Sequence, residues 1–371
     1  MTSEPFEIFL VSIPGLETVV ADEARVLGFP NPEVVAGGVR FLGHWKDVWR
    51  ANLSLRCPSR VLARIGSFPV FHLAQLDKRA RKFAWSAVLR SNVPIKVEVS
   101  CKRSKIYHAG AAAQRIERAI VESFGAPVSK AADLRLSVRI EDNFCTLSVD
   151  TSGEPLHRRG HKLSTGKAPL RETLAAAFLR QCNFNGEEPV LDPMCGSGTF
   201  VIEAAERARG LQPGRSRSFA FENLTSFDAT AWENMRSSSI SRDVGRHFFG
   251  SDRDAGAIKM ATENAGRANV SAITGFNKHV ISDVLPPTTQ PGLIVINPPY
   301  GGRIGNRKLL YALYGSLGKT ILNQFSGWRV GLVTSEPGLA MATELPFLQA
   351  KKPIQHGGLK IQLWRTEPLN L

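Results

Sequence analysis

Two kinds of hydrophobic pattern divide the chain. Up to about residue 155, short stretches alternate apolar and polar positions. Ile95, Val97, Val99 and Cys101 interleave with Lys96, Glu98 and Ser100, and Leu134–Ile140 repeats the pattern before Phe144–Val149. Period-two alternation marks strands buried on one face. Phe6–Ser12 reads as a buried strand, Val34–Leu42 as another, and Pro14-Gly15 opens a helix that runs to about Leu27. A helix from about Ala111 to Phe124 turns Ile116, Ile120 and Phe124 inward and leaves Gln114, Arg115 and Arg118 free.

From residue 168 the pattern changes. A helix starting in Ala168–Glu172 leads into apolar runs at Pro189–Asp192, His247–Asp252, His279–Asp283, Gly292–Asn297 and Trp328–Ser335. Residues 350–355 and 359–365 close the chain around Gly357-Gly358. Apolar runs that alternate with helices predict a mostly parallel sheet with right-handed crossovers and helices on both faces, plus one antiparallel strand from the final hairpin. The expected organisation is a small α/β unit at 1–55, a second unit at 56–155, a polar connector at 156–167 and the parallel-sheet domain at 168–371.

Composition narrows the class. The 371 residues suffice for two or more cores, and 43% hydrophobic with 22% charged residues is ordinary globular usage. No apolar run approaches ~18 residues, and Met1–Phe6 lacks the features of a signal peptide. Five cysteines (57, 101, 145, 182 and 195) are scattered and form no CxxC pair, which predicts reduced thiols in a cytoplasmic protein without a zinc site. His157 and His161 lack a third ligand and read as solvated connector residues, so no metal is expected.

Charge says more. The net +14 is concentrated, because residues 56–118 hold 14 Lys/Arg against 3 Asp/Glu whereas residues 1–55 hold 4 against 7. With aromatics interleaved, that segment predicts contact with a nucleic acid. Lys102, Arg103, Lys105, Tyr107 and His108 at the strand-to-helix turn, with Arg115 and Arg118 on the helix, form a platform for phosphates. Such contacts position a nucleic acid without reading its sequence.

The candidate chemistry lies at strand ends, where ligands bind in parallel sheets. In Asp192-Pro193-Met194-Cys195-Gly196-Ser197-Gly198-Thr199, two glycines allow a tight turn close to a ligand, and Asp192 can pair with an ammonium. Neither the full dinucleotide fingerprint nor a phosphate-loop motif is met, which lowers the dehydrogenase and ATPase readings. Asp252 can accept from two ribose hydroxyls, and Asp283, before Val284, from an adenine amine. In Asn297-Pro298-Pro299-Tyr300 the Asn297 amide oxygen and the Pro298 carbonyl can accept both hydrogens of a planar amine, while Tyr300 stacks on its ring. Catalysis would then be chiefly proximity and orientation.

Taken together, these residues resemble a known family. The block from about 165 to 371 is similar to class I S-adenosylmethionine-dependent methyltransferases of the N/D-P-P-Y, amino-methylating kind. Ser100–His108 resembles the THUMP signature, and Asp150–Gly160 resembles the segment that follows it. Ala168–Ala175, including Pro169, resembles the helix against the cofactor's methionine end. The whole chain thus resembles the THUMP-containing RNA guanine-N2 methyltransferases, a group with members acting on 23S rRNA and on tRNA.

The resemblance implies a Rossmann-like α/β domain with a seven-stranded, mostly parallel sheet whose last strand is antiparallel. A ferredoxin-like unit and a THUMP domain would precede it. It implies S-adenosylmethionine held by Pro169, by Asp192 and Met194 to Thr199, by Asp252 and Arg253, and by Asp283 and Val284. Asn297, Pro298 and Tyr300 would present the guanine amine. Met194 departs from the generic glycine pattern, and Arg253 stands where an apolar residue often covers the adenine, although its stem can do so. A 23S rRNA guanine is the first expectation and a tRNA guanine the second. DNA adenine-N6 methylation and a non-catalytic RNA-binding factor are further alternatives.

Overall fold

The computed structural model describes residues 4–163, 170–238, 241–244, 247–301, 307–350 and 352–370. These form two compact units: Met1–Ser12, Val20–Leu156 and Arg217–Ser238 in one, and Ile13–Val19, His157–Ser216 and Ser239–Leu371 in the other.

The first unit is built on β1 (Phe6–Val11), β2 (Glu33–Val35), β3 (Gly38–Gly43), β4 (Arg60–Pro69), β5 (Ile95–Lys102), β6 (Leu134–Glu141) and β7 (Phe144–Asp150). They make one sheet in the order β2-β3-β1-β4-β7-β6-β5. Only β5 and β6 run parallel. α1 (Glu17–Val26), α2 (Trp45–Ser54), α3 (Leu73–Arg81) and α4 (Ala109–Ala119) accompany it, and α4 continues as a π-helical turn over Ile120–Phe124.

Sequence patterning leaves β4 unassigned, although it joins the sheet by pairing with both β1 and β7. The physical reason is a bulge between Arg64 and Gly66, which shifts the inward face midway and breaks the alternation. The N-terminal strands and the basic segment therefore share a single sheet.

Residues 217–238, which fall between strands of the second unit, belong to the first. Phe221 stacks 6.0 Å from Trp49 of α2, Phe227 meets the same indole at 5.9 Å, and Trp232 of α7 (Ala229–Ser237) sits edge-on to Phe221 at 5.0 Å. Arg217 donates to the carbonyls of Ser152, Glu154 and Pro155. An aromatic cluster of this size supplies burial that the polar sequence around it does not.

The second unit holds β8 (Val190–Asp192), β9 (Phe248–Asp252), β10 (Thr274–Lys278), β11 (Leu293–Ile296), β12 (Arg329–Thr334), β13 (Ile354–His356) and β14 (Leu359–Arg365). The order is β10-β9-β8-β11-β12-β14-β13. β8 to β12 are parallel, and β14 runs antiparallel to both β12 and β13. This is the Rossmann-like class I methyltransferase sheet expected above. Its helices are α5 (Glu172–Gln181), α6 (Thr199–Ala208), α8 (Ala255–Arg267), α9 (Arg307–Gln324) and α10 (Pro337–Met341).

One strand is displaced from its expected place. The third lies at 274–278, and Ile281–Asp283 forms a 3-10 turn. β10 is an edge strand with no fully buried residue, so it lacks the apolar run that marks its neighbours. A core of Leu191, Ile294, Ile296, Val330 and Leu332 from the strands packs against Leu310, Tyr314, Leu317 and Ile321 of α9.

The connector histidines also depart from expectation. His161 is 4% exposed, with its ring 3.7 Å from the buried Glu206, and burial lowers its pKa. Arg159 forms an ion pair with Glu203 at 3.0 Å, both side chains almost wholly buried. Lys162 donates to Thr199 Oγ1 at 2.8 Å and to the Leu170 carbonyl at 3.1 Å, and it pairs with Glu172 at 3.2 Å. A segment that reads as solvated is a cationic strap held by acids on α5 and α6.

Candidate active site

The glycine turn begins where β8 ends. Gly196 and Gly198 take φ of +52° and +84°, a region costly for residues with a Cβ, and Gly198 caps α6. A Cβ on Gly196 would meet nothing within 4 Å, so this side of the turn is open for a ligand. The turn is fixed from several directions. The Cys195 N–H donates to the Ser251 carbonyl at 2.9 Å, and the Asn264 amide of α8 donates to the Ser197 carbonyl at 3.1 Å. Lys162 holds Thr199, the first residue of α6. Neither Asn264 nor Lys162 is visible as a site residue in the sequence, because each acts from another element.

Asp252, at the end of β9, receives the Gly196 N–H at 3.1 Å on one oxygen and the Asp254 N–H at 2.9 Å on the other. A carboxylate offers about four acceptor positions, so two remain for ligand hydroxyls. Arg253, next along, is exposed.

Asp192 is 3% exposed, and among the described residues its one donor is the Met194 N–H at 3.1 Å. Burial drives its carboxyl up to about 8; the Met194 N–H opposes this and the Asp252 charge adds to it. No cation is paired with it among the described residues. An acid so placed fits a ligand ammonium, which would restore its ionised form. Cys195 lies beside it with its thiol also raised by burial, an inert packing role.

Val284 is buried in the core, while Asp283 is exposed and accepts from the Ser282 hydroxyl. Asp283 thus stands on a turn beyond β10 and not at its end. Pro169 lies outside the described residues.

The second half of the site follows β11, the neighbour of β8 in the sheet. Asn297 carries its Oδ1 shut off from solvent, with no hydrogen-bond partner among the described residues. A buried, unpartnered acceptor of this kind costs about 1–3 kcal/mol, which a bound donor relieves. Pro298 is buried, and Tyr300 packs with Met194 against the core. The loop is pinned from beneath: Tyr314 of α9 donates to the Pro299 carbonyl at 3.3 Å, and Glu336 accepts the Gly301 N–H at 3.1 Å. The fit to a cofactor of the S-adenosylmethionine type thus rests on an open glycine turn, a buried acid without a cation, and a ribose-capable carboxylate.

The basic residues of the first unit form a separate group. Arg103, at φ +45°, grips Asp142 with two hydrogen bonds and Glu141 with a third, while the Lys105 N–H donates to the Asn143 side chain at 2.8 Å. His108 caps α4 by accepting the Ala111 N–H. Tyr107 is 84% exposed; Lys102 and Lys105 are exposed as well, with the Lys102 ammonium 3.7 Å from Glu141 and the Lys105 ammonium over the Phe71 ring at 5.5 Å. Arg115 is half-buried, and Arg118 is exposed and loosely paired with Glu122 at 3.8 Å. Much of the charge excess is therefore answered inside the unit, and the turn is held rigidly.

Comparison with known proteins places this geometry. The family model of RMKL-like methyltransferase domains, UPF0020, matches residues 159–361, the RlmL ferredoxin-like domain matches 7–62, and the THUMP domain matches 72–150. Three solved structures superpose with a TM-score of 0.87. SMU.472, assigned as a methyltransferase and crystallised with SAH, is 25% identical, with all of both chains covered. A predicted N6-adenine-specific DNA methylase from Listeria monocytogenes is 28% identical over 99% of this chain and 97% of that one. A methylase from Clostridium difficile is 26% identical over 99% of each.

Proposed function

The chain belongs to the RMKL-like methyltransferase family, and on that premise we propose that it methylates the exocyclic N2 amine of a guanine in structured RNA, with 23S rRNA as the first candidate and tRNA as the second. It is an S-adenosylmethionine-dependent RNA methyltransferase in its coarse activity, since the chain carries both a methyltransferase domain and a THUMP domain. The observation that carries the finer reading is the unpartnered Asn297 Oδ1 on a loop braced by Tyr314 and Glu336.

S-adenosylmethionine supplies an electrophilic methyl group when bound. Asp192 would take its ammonium, the turn from Met194 to Thr199 its methionine part, and Asp252 its ribose. Arg253, Asp283 and Val284 would surround the adenine, and Pro169 would lie near the methionine end. Asn297 Oδ1 and the Pro298 carbonyl would accept the two amine hydrogens and so aim the nitrogen lone pair outward, while Tyr300 stacks on the base. Lys102, Arg103, Lys105, Tyr107, His108, Arg115 and Arg118 would hold the folded RNA, from which the target base is flipped.

A DNA adenine-N6 reading shares the Asn-Pro-Pro-Tyr chemistry and matches the name given to the Listeria relative. The THUMP domain favours RNA. Incubation with labelled S-adenosylmethionine and RNA from cells lacking the protein tests the proposal. Label in N2-methylguanine of 23S rRNA is the expected result. Label in tRNA alone moves the target, and label absent from N2-methylguanine in either RNA defeats the assignment.

A further inference from the structure

A cofactor held with its ammonium on Asp192 and its ribose on Asp252 still has a carboxylate to satisfy. In its methionine part the ammonium and the carboxylate sit on the same carbon, so the donor for one has to stand close to the acid for the other. Among the described residues a single basic side chain bonds to the turn at 192–199. Lys162 donates to Thr199 Oγ1 at 2.8 Å and to the Leu170 carbonyl at 3.1 Å, and it pairs with Glu172 at 3.2 Å. All three ammonium donors are thus engaged, on a side chain only 9% exposed.

The Lys162 contact decides how the Thr199 hydroxyl is used. An ammonium has donors and no acceptor, so Oγ1 must accept here and keep its own O–H for another partner. No acceptor for that O–H exists among the described residues. Thr199 is the first residue of α6, where the opening N–H groups also lack intrahelical acceptors. It is 8% exposed, and in such sheltered surroundings a hydrogen bond to a charged group is stronger than in water. The strap also reaches the turn by a second, longer route. The Arg267 Nε donates to the His161 carbonyl at 2.8 Å, its Nη2 donates to Asn264 Oδ1 at 2.5 Å, and the Asn264 amide donates to the Ser197 carbonyl at 3.1 Å. His161 and Lys162 therefore brace the turn at Ser197 and at Thr199, the first through two intermediaries and the second directly.

We propose that Lys162 is a positioning residue for the cofactor: by filling the acceptor side of Thr199 Oγ1, it makes that hydroxyl a fixed donor for the carboxylate of the methionine part. The proposal rests on the cofactor cradle of the reading above and adds to it what the strap does for binding. Lys162 need not touch the ligand, because Glu172 already answers its charge. Its effect is one of orientation. A donor held in place before the ligand arrives avoids the cost of ordering it on binding. A hydroxyl fixed in this way favours a ligand that carries an acceptor over one that lacks it, so the strap selects for the amino-acid end of the cofactor. The Arg267 route ends on a backbone carbonyl, which steadies the turn without favouring either ligand.

The test measures, by calorimetry on the full chain, the binding of SAH and of its decarboxylated analogue, which keeps the amine and lacks the carboxylate. The wild type should prefer SAH by about tenfold. Thr199→Val removes the hydroxyl at nearly constant volume and should bring the two affinities together, whereas Thr199→Ser should keep the preference. Lys162→Met combined with Glu172→Gln removes both charges of the buried pair. That double variant should cut the preference to about threefold, through weaker SAH binding. Arg267→Ala should weaken both ligands by the same factor.

An unchanged preference in Thr199→Val puts the carboxylate elsewhere and overturns the proposal. A double variant that weakens both ligands alike overturns it too, because a purely structural role of Lys162 would do the same. So does a preference that falls as far in Arg267→Ala as in the double variant. Asp192→Asn separates these failures from failure of the cradle. If that variant binds SAH normally, the cradle itself is wrong. If it binds SAH weakly while Thr199→Val keeps the preference, only the role of Lys162 is refuted. Methyl transfer plays no part in these readouts.

Discussion

Asp192→Asn probes the proposed cofactor cradle through a single charge. The buried carboxyl has its pKa raised to about 8 from an ordinary 3.8. At pH 7 about a tenth of the molecules therefore carry it ionised. If a ligand ammonium requires the ionised acid, binding must first drive off a proton. Affinity for SAH should then rise about tenfold between pH 6 and pH 7, a difference of ~1.4 kcal/mol, and level off near the carboxyl's own pKa. Above about pH 8 the α-amino group of the ligand begins to deprotonate, so the informative window lies below it.

The stability of the chain without ligand runs the other way. A folded pKa above the unfolded value gives a contribution fully present below about pH 4 and lost as pH rises through about 8. Asp192→Asn removes that loss. The variant should bind SAH about a hundredfold more weakly, with no pH dependence between pH 6 and pH 7.5. At pH 8 it should melt higher than the wild type. Calorimetric titration with SAH across that range, and thermal unfolding at both ends, measure the two effects. Wild-type affinity that stays flat from pH 6 to pH 7.5, or a variant that binds SAH normally, refutes the reasoning.

Asn297→Ala should reduce kcat by roughly a hundredfold while SAH affinity stays the same; loss of both together would show that the loop serves the cofactor. Tyr314→Phe removes the donor to the Pro299 carbonyl, and should lower stability by about 1 kcal/mol and kcat without changing SAH binding, as denaturation and single-turnover rates will show. Lys162→Met strands the buried Glu172 and should cost about 3–5 kcal/mol in denaturant unfolding. Adding Glu172→Gln should recover part of that loss, and equal stabilities for wild type, single and double variants would remove the strap's structural role.

The sequence made the parallel sheet legible because its central strands are buried on both faces and so appear as unbroken apolar runs. β10 escaped because an edge strand needs no such run, and its Thr274-Gly-Phe-Asn-Lys278 sequence carries one large apolar residue. β4 escaped because its bulge at Arg64/Gly66 interrupts the period on which the reading depends. The strap at 157–162 was hidden for a different reason. Arginine, histidine and lysine beside a glycine have the composition of a surface segment, and only the acids of α5 and α6, distant in sequence, make their burial tolerable. Spacing along one segment carries no trace of partners on another. The same holds for Tyr314 and Glu336, which support the Asn297 loop from α9 and from the turn before α10.

What joins the two halves of the site is a pair of unmet electrostatic demands on adjacent strands. Leu191 of β8 is in register with Ile294 of β11, so the glycine turn and the Asn297 loop leave the sheet side by side. One bears a buried acid whose ionised form lacks a cation, and the other a buried acceptor that lacks a donor among the described residues. Each is unfavourable alone, and once Asp192 is ionised neither can relieve the other, since a carboxylate and an amide oxygen are both acceptors. Relief has to come from two different groups, a cation at Asp192 and an N–H donor at Asn297. A cationic cofactor and a planar amine meet those demands at neighbouring positions. That is the physical reason for reading the pair as one reaction centre and not as two separate binding features.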